Sequence, residues 1–220
     1  MSNGSGSINN LRKKVTKTHE LIAVSYHESG HTIYGLLYFM KIGSVTVFNN
    51  SKSSRGEGTT NYEAAFDDSI DDIALFNYWL KSEIGLCYAG NCAEKHYFKS
   101  ITGSDKFPKF LKDGSEDDIS EASEFIRKYN LAPAGKKRYD FKQKMIKDCS
   151  KVLEQYWDDV TLVAHSLFNK KRLYYSDLKS LLCKKSKNKS FWKEQFKLID
   201  HISDNSGNLD TKKLKSIMSL

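Results

Sequence analysis

The sequence predicts an α+β fold, mainly α-helical, with a small β-sheet next to the helix that carries His27 and His31. Three observations lead there. Only two prolines, Pro108 and Pro133, occur in 220 residues, so long helices are permitted almost everywhere. Apolar residues recur at spacings of three and four over much of the chain. One β-branched run, Ser44-Val45-Thr46-Val47-Phe48, breaks that rhythm and reads as a strand.

Taken in order, Met1 to Asn10 is rich in Ser, Gly and Asn, and residues 1–17 are expected to be disordered. A helical pattern begins near Thr18 and runs to about Met40 on Leu21, Val24, Ile33, Leu36 and Leu37; Gly43 ends it before the strand. Asn49 to Gly58 is a polar loop. Gly58-Thr59-Thr60-Asn61-Tyr62 reads as a second short strand, antiparallel to the first or at a sheet edge. Ser69 to Phe98 returns to helical spacing through Ile73, Phe76, Leu80, Ile84 and Tyr88. Within it Gly85 and Gly90 permit close helix packing at some cost in propensity.

Lys99 to Asp113 reads as a loop, and Ser115 as an N-cap, with Glu116, Asp117 and Asp118 favoured in the first turn by the helix dipole. That helix should reach about Tyr129, followed by a connector from Asn130 to Gly135. A long amphipathic helix, interrupted or not, covers Arg138 to Asn169, and Ser176 caps a short one through Leu182. Residues 186–220, with Phe191, Trp192, Phe196 and Leu198, read as a C-terminal helical appendage, which leaves 18–185 as the main domain.

A hydrophobic content of 39% suffices for the core of one domain. The net charge of +8 raises nucleic acid as a partner, but the basic residues lie mainly in the C-terminal half and alternate with acids. A solvated helical surface explains them, and no nucleic acid is expected. Cys87, Cys92, Cys149 and Cys183 form no CxxC pair, which fits a reducing, cytoplasmic setting better than a cysteine zinc cluster. The first twenty residues lack the apolar core of a signal peptide. The longest apolar stretch, Thr32 to Met40, is far shorter than the roughly twenty residues of a bilayer span, so no membrane span is expected.

The chemistry is concentrated in His27-Glu28-Ser29-Gly30-His31. Histidines at i and i+4 share one helical face and reach a single ion. Neutral imidazoles bind Zn2+, while Glu28 beside the first ligand stays free to take a proton from a water acidified by the metal. A zinc site of this kind needs a third protein ligand. His96, His165 and a carboxylate are the candidates the residues themselves offer, and the acidic run Glu116 to Glu121 has a plainer explanation as helix capping.

Val24-Ser25-Tyr26-His27-Glu28-Ser29-Gly30-His31 resembles the tyrosine-HEAGH helix of the FtsH-type zinc peptidase family. The resemblance continues through Val45-Thr46-Val47, the Gly58-Thr59 region, Ala89-Gly90-Asn91-Cys92-Ala93-Glu94 (the family's GGRAAE) and Gly114-Ser115-Glu116-Asp117-Asp118-Ile119 (its GASNDI). Val152-Leu153, Trp157-Asp158-Asp159-Val160, Leu173 and Asp177-Leu178 extend it to approximately residues 18–183. It implies His27, His31 and Asp118 as zinc ligands, with Asp117 the neighbouring alternative, and Glu28 as the catalytic base. Two departures stand out: Ala89-Gly90-Asn91 replaces the family's GGR, and no GxxxxGK[ST] phosphate loop occurs in this sequence.

The expectation is therefore a zinc-dependent endopeptidase without its own ATPase. It would act on peptides or unfolded protein, alone, as a homo-oligomer, or fed by a separate ATPase. The other expectation is a catalytically inactive module that keeps the peptidase fold and binds peptides or a protein partner.

Overall fold

Helix α1 (Ser5–Leu37) is the axis of the structure, and from Ser25 to Leu36 every residue of it is buried. The computed structural model describes residues 5–49, 56–64, 70–103, 116–205 and 211–218, with side chains from residue 19 onward. A helix buried on all sides must satisfy its polar side chains internally. Here the hydroxyls of Ser25, Ser29 and Thr32 donate to the carbonyls of Leu21, Ser25 and Glu28, one turn back, at 2.6–2.7 Å. Helix α1 begins at Ser5, within the segment 1–17 expected to be disordered; residues 1–4 lie outside the described set. Once the buried half has nucleated the helix, Leu11-Arg12-Lys13-Lys14, all good helix formers, let it propagate at little further cost.

A three-stranded antiparallel sheet lies against α1, in the order β2-β1-β3, with β1 at Lys41–Asn49, β2 at Gly56–Glu63 and β3 at Arg172–Tyr174. The register of β1 on β2 slips between Ile42 and Ser44, at Gly43. That bulge is why Ile42 joins Val45 and Val47 on the buried face although simple alternation would turn it outward. Strand β2 therefore stands at one edge of the sheet.

Helix α2 (Ile73–Thr102) packs on α1 more extensively than any other element does. The Asp72 carboxylate caps it by accepting from the amides of Ala74 and Leu75. Gly103 ends it at φ 67°, a left-handed conformation that glycine adopts without strain, its amide donating to Lys99 O. Closeness between α1 and α2 depends on small residues: a Cβ on Gly30 would stand 2.5 Å from the Ala89 carbonyl, and one on Gly85 would collide with the Tyr34 ring.

Helix α3 (Glu116–Lys128) buries Ala122 and Ile126; the N-cap expected at Ser115 lies outside the described residues. The long helix expected from Arg138 to Asn169 is two, α4 (Lys136–Gln155) and α5 (Trp157–Lys170), broken at Tyr156. Helix α6 (Tyr175–Lys185) follows β3 directly, and the Asp177 carboxylate, rather than Ser176, accepts from the Tyr174 amide at its start.

Residues 186–220 contribute α7 (Lys189–Asp204) and α8 (Thr211–Met218). Trp192, Phe196 and Ile199 of α7 belong to the same buried cluster as α1. The fully buried Asp159 of α5 fixes that packing by accepting from Ser186 Oγ, Asn188 Nδ2 and Trp192 Nε1. No helix among the described residues is long and apolar enough to cross a membrane.

Candidate metal centre

His27 and His31 project from the middle of α1, where burial leaves them 8% and 9% exposed. Their Nε2 atoms are 3.0 Å apart, and Asp118 Oδ2 lies 3.0 Å from the first and 3.3 Å from the second. Asp118 is in the first turn of α3, 91 residues along the chain from His27. The structure thus brings together the two histidines and Asp118, not Asp117, as a group able to hold a metal ion. His96 and His165 are elsewhere: His96 packs on Trp157, and His165 meets the edge of Tyr26.

The outer atoms of both imidazoles are also held. Nδ1 of His31 lies 2.9 Å from the Leu86 carbonyl, and Nδ1 of His27 lies 3.3 Å from Glu94 Oε2. A carbonyl can only accept, so Nδ1 of His31 carries its proton, and the Glu94 carboxylate favours the same tautomer in His27. In the neutral rings both Nε2 lone pairs then face each other and a carboxylate oxygen. Three acceptors converging without a donor require a cation or a proton between them.

Atoms about 2.0–2.1 Å from a tetrahedral zinc stand about 3.3–3.4 Å from one another. The three separations here, 3.0, 3.0 and 3.3 Å, need little adjustment to match. Gly90 of α2 makes the same point from the packing side, because a Cβ there would sit 2.4 Å from both Nε2 atoms. The residues present fit a three-ligand zinc site with carboxylate and carbonyl support behind the imidazoles.

Charge follows the same geometry. Burial disfavours a charged His27, but its bonds to Asp118 and Glu94 outweigh that and push its pKa up to about 10. Burial likewise opposes the charge on Asp118, yet the two imidazoles hold its carboxyl well below the usual carboxylate range. Glu94 is shifted the other way: burial raises its pKa, offset in part by the bond to His27.

Glu28, 6% exposed, opens into a cleft of about 300 Å³ together with the two histidines. Gly58, Thr59, Thr60 and Tyr62 of β2 form one wall, Asp117, Asp118 and Glu121 of α3 another, and Leu86 and Cys87 of α2 complete it. Tyr62 OH donates to Glu83 Oε2 of α2 at 2.9 Å, fastening the end of β2. Sequence reasoning assigned no role to Glu94, Thr60 or the Tyr62–Glu83 pair. For Glu94 a signal existed, since it stands four residues after Gly90 on the face of α2 that meets the histidines. For the others none did, because their partners are distant in the chain. No protein-family model matches the chain, and no curated protein matches its sequence.

Proposed function

We propose that this protein is a zinc-dependent endopeptidase of the FtsH type, in which the described residues cleave peptides and unfolded or flexible protein segments. One observation carries the reading: two imidazoles and a carboxylate converge on a point in a cleft that also holds Glu28, which is not one of the three converging groups, and the edge of a β-strand. A structural metal site would be closed by a fourth protein ligand and would need no Glu28 beside it.

Zinc held by His27, His31 and Asp118 would supply Lewis acidity, lowering the pKa of water towards about 7 and polarising the scissile carbonyl. Glu94 and Leu86 O keep both histidines in the ligating tautomer. Glu28 accepts a proton as water attacks and returns it to the departing amine. The Gly58–Tyr62 stretch of edge strand β2 holds an extended substrate through backbone hydrogen bonds, which selects for unfolded segments over intact domains.

The test is cleavage of casein without ATP, after chelation and again after zinc is restored. Cleavage lost with the metal and recovered with it supports the proposal. Stoichiometric zinc binding with no cleavage would favour the peptide-binding module instead.

A further inference from the structure

We propose that strand β2 sets the position of the catalytic carboxylate, with Thr60 as a positioning residue for Glu28 and Gly58 as the gap that admits it; this rests on the peptidase reading above. Thr60 Oγ1 lies 2.7 Å from Glu28 Oε2, the distance of a strong, charge-assisted hydrogen bond. The same hydroxyl is 3.4 Å from the Glu28 backbone carbonyl, so the carboxylate is its principal acceptor. Two residues earlier, a Cβ on Gly58 would stand 2.4 Å from Glu28 Cγ and 2.5 Å from Oε1.

Gly58 and Thr60 are separated by two, so they face the same side of β2, while Thr59 between them is exposed. One oxygen of Glu28 is thus tied to the strand by a hydroxyl, and the other lies in a space that any side chain at position 58 would fill. A glutamate has three rotatable side-chain bonds, and a base left free to rotate spends much of its time out of reach of the proton it must accept. Tyr62, the next residue on that face, ties β2 to α2 through Glu83, so the strand is itself anchored. The strand that would seat the substrate also holds the base, which puts both under one structural element.

The experiment is steady-state hydrolysis of a quenched fluorogenic peptide by the zinc-loaded full chain, comparing wild type with Thr60→Val and Thr60→Ser. Valine keeps the branched shape and the strand propensity of threonine and puts a methyl group, which cannot donate, in place of the hydroxyl. Thr60→Val is expected to lower kcat about 10- to 100-fold, with KM within about twofold, full zinc content and an unchanged melting temperature. Thr60→Ser, which restores the hydroxyl, should recover most of the rate. Gly58→Ala, which displaces the same carboxylate while keeping the hydroxyl, should reproduce the kcat loss. Wild-type kcat in Thr60→Val, or a rate loss that serine does not rescue, overturns the positioning role alone. An inactive wild type overturns the peptidase reading and the positioning role with it.

Discussion

Replacing Gly90 by alanine tests the metal centre without touching a ligand. The new Cβ would lie 2.4 Å from Nε2 of both His27 and His31, and 2.6 Å from His27 Cδ2. Ordinary contact begins near 3.4 Å, so either the two rings move by about 1 Å or α2 withdraws from α1 by a similar amount. Withdrawal would open the close contact of Gly30 with Ala89 and Ala93 and forfeit the packing made there. Ring movement violates the metal's tolerance, since zinc–ligand distances hold within about 0.2 Å. The predicted loss in zinc affinity is roughly 100-fold, about 2.7 kcal/mol, with helical content retained. Competition against a chromophoric chelator measures it. A dissociation constant within threefold of wild type would refute the placement of Gly90 against the imidazoles.

Other expectations follow from the same contacts. Asp118→Asn should lower zinc affinity by more than about 10-fold while Asp117→Asn and His96→Ala leave it unchanged; equal losses from the two aspartates would remove the distinction made between them. In chelator-treated protein, raised His27 contributes stability that is full below its unfolded value of 6.5 and lost as pH rises towards about 10. Lowered Asp118 contributes above its unfolded value of 3.8, and that contribution is lost as pH falls further. Melting temperature without metal should therefore decline from pH 6.5 towards 10, and the gain on adding zinc should grow over the same interval, because zinc needs neutral His27; a flat metal-free profile contradicts this. Trp192→Phe strips one donor from buried Asp159 and should cost about 1.5–3 kcal/mol in denaturant unfolding, whereas a change below 0.5 kcal/mol would show that the α5–α7 contact adds little.

What could be seen in the sequence was local. The i, i+4 histidines with Glu28 between them, the β-branched run at Val45 to Val47 and the periodic apolar residues of α2 all express their geometry within a few residues. Gly85 and Gly90 stood out as unfavourable within a helix, and the structure shows what they make room for: Tyr34 in one case, the two imidazoles in the other. Asp118 was indicated by resemblance alone, since nothing in its own neighbourhood distinguishes a ligand from a dipole-favoured helix start. β3 went unread because a three-residue strand leaves no period, and the Tyr156 break because the helices it separates share an apolar face. Thr60 and Glu83 acquire their roles only from partners 32 and 21 residues away, whereas Glu94 carried a local signal in its spacing from Gly90.

The most direct test of the central claim is casein degradation by zinc-loaded wild type and Glu28→Gln, without ATP, with zinc content measured in both. The account predicts cleavage by wild type, none by the variant, and one zinc bound in each. Cleavage undiminished in Glu28→Gln, or no zinc bound by the wild type, would contradict it.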